Sequence, residues 1–228
     1  MINLLNCLPK LNKGITAFIG SGGKTSLIHT LCKTLSRNNK VIFCTTTNIY
    51  PSETIHSLNN PSIPDVKREL ALRNAICIGI LNENTGKFSF PDLSLSKLKE
   101  IADYILVEAD GSKGLPIKAH CDHEPVIPDC TNETILVVGA NGFGKKVNDV
   151  VHRKETFCRI ASCEENDIVT PNLVSKVINY ENLADKIFVN QVDSDDLMYI
   201  PENLEKLTDK PVYYGSLQKG RLENDSSY

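Results

Sequence analysis

The chain has 228 residues, a net charge of −3, 41% hydrophobic and 23% charged residues, the composition of a globular protein with a buried core. The charge balance supplies neither a basic field for nucleic acid nor a polybasic membrane signal, and no apolar run approaches the ~18 residues of a membrane span. One domain over residues 1–228 is expected.

The start, MINLLNCLPK, lacks the basic opening and long apolar stretch of a signal peptide, and residues 1–8 read as a short amphipathic helix within an N-terminal segment 1–14. The eight cysteines form no CxxC pair, which suits free thiols in a reducing cytoplasm.

Ile15 to Ile19 reads as a buried strand. Gly20, Ser21, Gly22 and Gly23 follow, then Lys24, Thr25 and Ser26, with Leu27, Ile28, Leu31 and Leu35 at helical spacing. Strand, glycine turn and helix in this order form a phosphate-binding loop. The glycines let successive N–H groups converge on one anion, and the helix start adds partial positive charge. Lys24 would reach the β- and γ-phosphates, and the Thr25 hydroxyl would ligate Mg²⁺. The spacing is G-x-x-G-K-T, two residues tighter than GxxxxGK[ST], which would need glycine where Phe18 stands. The bland alternative is a strand–helix turn with a surface lysine.

A second strand, Val41 to Cys44, ends in Thr45, Thr46 and Thr47, either phosphate or metal–water contacts or simply residues that suit a strand end. Pro51 to Pro64 reads as a loop, Asp65 to Arg73 as a helix, Ala75 to Ile80 as a strand with Lys87 to Phe90 as a hairpin arm, and Ser96 to Ala102 as a helix. Tyr104 to Val107 is a strand leading into Glu108-Ala109-Asp110-Gly111. An apolar strand ending in acid is the form of a Walker B element. Two carboxylates one residue apart on extended backbone share a face, so Glu108 and Asp110 are both expected at one Mg²⁺.

Lys113 and Lys118 in the following loop are candidate contacts for a triphosphate or an anionic substrate. His120, Cys121, His123 and Glu124 invite a zinc reading, but no second ligand pair at finger-like spacing accompanies them. His123, Glu124 and Arg153 remain candidate substrate contacts. Thr134 to Val138 is another strand, a helix follows His152-Arg153 through Ile160, and Asn172 to Ile178 is helical. Ile187 to Val189 is a strand followed by Asn190-Gln191-Val192-Asp193, an N-[KQ]-x-D arrangement in which Asn190 and Asp193 would read guanine. Gln191 replaces the usual lysine, which leaves GTP or ATP open, and an ordinary polar strand end is the alternative. Pro201 to Leu207 and Val212 to Tyr214 give a last helix and strand, with a frayed tail over 223–228. Strands alternating with helices imply an α/β, three-layer P-loop NTPase-like fold, its mainly parallel sheet covered on both faces.

FIGSGGKTS, TTTNI, VEADGSKGLPIKA, HEPVIP, VHRKE and FVNQVD occur here in an order that resembles the selenium-dependent hydroxylase accessory proteins, the YqeC-like family. The likeness covers nearly the whole chain. His120 departs from it, standing where a proline or small residue is expected before His-Glu-Pro. The tight loop is also similar to that of Mur-type amide ligases and lipid A 4′-kinases. The YqeC resemblance implies a Mg²⁺-dependent GTP- or ATP-handling protein that assists maturation of selenium-dependent molybdenum hydroxylases. Its partner would be a molybdenum hydroxylase or a molybdopterin-handling protein. Two other readings are a small-molecule kinase or ligase, and a non-catalytic module that senses nucleotide.

Overall fold

A computed structural model describes residues 8–217 and, for backbone alone, 221–223. The start and the tail discussed above (1–7 and 224–228) lie outside the described residues. Residues 8–13 are not helical, because Gly14 already opens the first strand and draws the approach into extended chain.

In chain order the elements are β1 (Gly14–Gly20), α1 (Lys24–Leu35), β2 (Val41–Thr45), β3 (Ser57–Asn59), α2 (Ile63–Arg73), β4 (Ala75–Asn82), β5 (Lys87–Ser89), α3 (Leu95–Lys99) and β6 (Tyr104–Glu108). Then follow β7 (Ile117–Lys118), β8 (Glu133–Gly139), α4 (Val147–Val150), β9 (Val151–His152), α5 (Lys154–Ala161), α6 (Pro171–Glu181), β10 (Lys186–Asn190), α7 (Tyr199–Leu207), β11 (Val212–Ser216) and β12 (Arg221–Glu223). The main sheet runs β12-β11-β10-β8-β1-β6-β2-β4-β3, with β5 on β4. All its pairs are parallel except β11–β12 and β4–β5. The expected three-layer α/β fold with a mainly parallel sheet is therefore present. β7 and β9 form a separate parallel pair.

Alternation along the strands separates the two faces. Phe18, Phe43 and Leu106 pack under α1 with Leu27, Ile28 and Leu31. On the other face, Ile15, Ile42 and Ile105 meet Val66, Leu70 and Leu98 of α2 and α3. Ala17, Ile19 and Val189 meet Phe157, Val174, Ile178 and Leu204 of α5, α6 and α7. The helix starts follow local chemistry. Ser62 accepts from the Asp65 amide while the Asp65 carboxylate accepts from the Ser62 amide, and Pro64 sits in the first turn. Thr170 caps α6, with Pro171 as its first residue.

Parallel register fixes which residues meet at the carboxyl edge. Phe18 and Thr45 both stand opposite Glu108, Gly20 opposite Val137, and Asn190 opposite Gly139. Five strand ends thus converge on the turn after β1, the position at which doubly wound sheets bind ligands.

Candidate functional site

The turn between β1 and α1 is wedged against the two strands on one side of it. Gly22 has φ 91°, and a Cβ there would lie 2.3 Å from the Gly139 amide nitrogen. Gly23 has φ 114°, and its Cβ would lie 2.5 Å from Asn190 Nδ2. Both conformations and both clearances require glycine. The Ser21 amide donates to the Val137 carbonyl at 2.9 Å, and the Leu27 amide to Gly23, so Gly23 caps α1. The next amides, at Lys24, Thr25 and Ser26, belong to the first helical turn, where no carbonyl lies four residues back within the helix. α1 carries no acid in that turn, which leaves its positive end for an anion. Ser21 is buried, and its hydroxyl has no partner among the described residues.

Lys24 is only 3% exposed. Its ammonium donates to the Gly20 carbonyl at 2.6 Å and lies 2.9 Å from Asp110 Oδ1. The other Asp110 oxygen accepts from the Gly20 amide at 2.8 Å and lies 2.8 Å from His120 Nε2 and 3.2 Å from Lys118 Nζ. Burial alone would push the Asp110 carboxyl up. The His120 hydrogen bond and the charges of Lys24 and Lys118 overcome it and hold the group at about 2. His120 Nδ1 in turn lies 2.7 Å from Glu181 Oε2, at the end of α6. Burial opposes the imidazolium, yet the hydrogen bonds to Asp110 and Glu181 raise its pKa above the ordinary histidine value.

Two sequence expectations change here. Asp110 does not stand beside Glu108 as a second metal ligand, because its oxygens are occupied by Gly20, Lys24, Lys118 and His120. Lys118 is not a phosphate contact either. It is buried, and it donates to the Gly111 carbonyl and to Glu124 Oε2, each at 2.7 Å.

Glu108 has different company. Its Oε2 accepts from the Thr25 hydroxyl at 2.8 Å. Burial pushes its carboxyl up, against the pull of the Lys24 charge and the Thr25 hydrogen bond. The threonines after β2 serve the scaffold. Thr45 Oγ1 donates to the Glu108 carbonyl at 2.8 Å, Thr46 Oγ1 donates to the Val126 carbonyl at 2.7 Å, and Thr47 lies 3.1 Å from Thr45. They fasten the acid's strand end, which is the strand-end alternative rather than a phosphate contact.

A cleft of about 520 Å³ opens over these groups, bounded by Lys24, Thr25 and Glu108 on one side and by Lys113, His152 and Arg153 on the other. Arg153 Nε donates to Glu124 Oε1 at 2.7 Å, so Glu124 is held between Arg153 and Lys118. Both Arg153 and Lys113 take left-handed backbone, with φ 62° and 50°. Burial and the charges of Lys118 and Arg153 lower the His152 pKa below the ordinary histidine value. His123 is exposed and does not line this cleft, because the chain turns it outward while Glu124 points in. Ser26 is exposed too and lines a neighbouring hollow on α1.

Asn190 ties the far side together. Its Nδ2 donates to the Gly22 carbonyl at 2.7 Å, and its Oδ1 accepts from the Leu217 amide at 3.3 Å. Asp193 Oδ1 accepts from Ser216 Oγ at 2.6 Å, at the end of β11. Gln191 has φ 64° and turns its amide toward Gly139. Sequence reasoning missed His152, Lys87 and the Glu181–His120 pair. Glu181 lies 61 residues from His120, and no local pattern links them.

A protein-family model described as "YqeC protein" matches residues 16–155. The uncharacterised protein YqeC of Escherichia coli (strain K12) is 33% identical over 153 residues, which is 64% of this chain and 60% of that protein. The chain thus spans about 60% of the length of this curated relative. The crystal structure of FlhF complexed with GTP and Mg²⁺ aligns at 14% identity and a TM-score of 0.42, over 93% of this chain and 68% of that one. PAB0955, a GTPase in apo form from Pyrococcus abyssi, aligns at 14% identity and a TM-score of 0.38, over 91% and 92%.

Proposed function

The chain belongs to the YqeC family, and from that premise we propose that it binds a nucleoside triphosphate, GTP or ATP, with Mg²⁺ at the β1–α1 turn and hydrolyses it slowly. One observation carries this reading. The Thr25 hydroxyl and the Glu108 carboxylate meet at 2.8 Å beside Lys24, on a turn whose glycines leave no room for side chains. These are hard oxygen donors of the kind Mg²⁺ takes, and Thr25 and Glu108 would hold the ion. When bound, Mg²⁺ supplies positive charge that offsets the phosphates.

The loop amides and Lys24 bind the phosphates, and Lys113 and Arg153 add charge from the opposite wall. Asp110 anchors the Lys24 ammonium across the loop, and Asn190 holds the loop's glycines in register. Asn190 and Asp193 form the corner where a base would be read. The biological setting, maturation of selenium-dependent molybdenum hydroxylases with such an enzyme or a molybdopterin-handling protein as client, is inferred from the family resemblance. Calorimetric titration with ATP and GTP, with and without Mg²⁺, tests the core claim. Mg²⁺-dependent binding of at least one nucleotide is expected, weakened tenfold or more in Lys24→Ala. Absence of binding to both overturns it.

A further inference from the structure

The groups assigned so far occupy half of the sheet's carboxyl edge. The phosphate turn follows β1, the acid ends β6, and the base corner lies past β10. On the other side of β6 the edge continues over β2, β4 and β3, where the nucleotide reading asks nothing of the chain. Yet this half is hollow. A compartment of about 370 Å³ lies there, with Thr25 and Glu108 in one wall and Asn48, Tyr50, Glu53 and Lys87 among the residues that line the remainder. Its volume is within the range of small-molecule sites. Thr25, Asn48, Lys87 and Glu108 also line the 520 Å³ cleft, so the two spaces are continuous across the Thr25–Glu108 pair.

Lys87 is delivered to this place by a dedicated device. The β4–β5 hairpin folds back over the edge, and Phe88 and Ile49 exchange backbone hydrogen bonds of 3.1 and 2.7 Å. The Lys87 ammonium then stands 5.0 Å from the centre of the Tyr50 ring, which is itself 65% exposed. Lys113 stands in the adjoining 520 Å³ cleft. Among the described residues neither ammonium has a carboxylate partner. Of the acids present, Glu108 is engaged by Thr25, and Glu53 is exposed at the rim, where solvent screens it.

We propose that this compartment is the site of a second substrate, a small organic molecule bearing a phosphate or carboxylate. It binds alongside the nucleotide with its anionic group at Lys87, its body against Tyr50, and its other end at the Glu108 wall. The proposal rests on the nucleotide reading above, and it names what that site works on. Phosphate and carboxylate share the chemistry that Lys87 recognises, so the experiment has one arm for each.

The full-length protein is first titrated with a non-hydrolysable triphosphate analogue and Mg²⁺. The saturated complex is then titrated with inorganic phosphate in one arm and succinate in the other. Binding in at least one arm is expected, and the arm that binds identifies the anionic group. Lys87→Met, which keeps the packed stem, should weaken that binding to the analogue-saturated complex at least fivefold, and Lys87→Arg should restore it. If the analogue binds but neither anion does, or if Lys87→Met binds the anion as well as the parent protein does, the second site is disproved and the nucleotide reading stands. Failure of the analogue to bind removes both.

Discussion

The two acids near the end of β6 look equivalent in sequence and are opposite in physics. Asp110 is fully buried between Lys24, Lys118 and His120, so Asp110→Asn strands Lys24 without its countercharge and leaves Lys118 with Glu124 alone. Breaking a buried pair in this way costs about 3–5 kcal/mol, and urea unfolding should show a loss of that size. Glu108→Gln removes no buried ion pair. It should leave stability within about 1 kcal/mol and abolish the Mg²⁺ dependence of nucleotide affinity in calorimetry. His120 makes the first acid pH-sensitive. Its pKa is raised in the fold, so its contribution is complete below the unfolded value near 6.5 and is lost as pH rises past that value through the folded one. Stability measured from pH 6 upward should therefore decline, and His120→Gln should flatten the decline. The pattern Glu-Ala-Asp marks this neighbourhood in the sequence. The division of labour was not readable there, because Asp110's partners arrive from Lys118 on β7, from His120 just after it and, through His120, from the end of α6.

At the level of elements, the β1–α1 turn was legible from its glycines, its lysine and the helical spacing after it. Less legible was why the turn can be so short. Gly22 and Gly23 rest directly on Gly139 and on Asn190 Nδ2, residues more than a hundred positions away. Gly23→Ala should therefore act twice, forcing a side chain into left-handed backbone and pushing Asn190 off its bond to Gly22. We expect destabilisation of about 1–3 kcal/mol by thermal unfolding, with loss of nucleotide binding. The threonine run shows the opposite case. Hydroxyls at a strand end invite a ligand, but Thr45 and Thr46 find carbonyl acceptors at Glu108 and Val126, which fit their reach better.

For the molecule as a whole, alternation of strand and helix was enough to give a parallel sheet with covered faces. Sequence does not give the lateral order of the strands, and lateral order is what makes the site. β8 and β10 stand on one side of β1 and β6 and β2 on the other, so Asn190 and Glu108 flank the same turn. Asn190 is the cross-tie, bonded both to the loop and to the segment after β11. Asn190→Ala leaves a buried carbonyl and an amide without their partner. It should cost about 1–3 kcal/mol in denaturant unfolding and lower nucleotide affinity several-fold, even though the residue is distant in sequence from the phosphates.

The contacts of Gly22 and Gly23 carry one more consequence. An α-helix turns about 100° per residue, so the number of residues in the bend also sets the angle at which α1 meets the sheet. One residue added between Ile19 and Lys24 would swing Leu27, Ile28 and Leu31 away from Phe18 and Phe43 while it loosened the grip on the anion. The proposed phosphate grip and the helix orientation are thus geared together, and the length of this bend cannot drift without unseating the helix behind it.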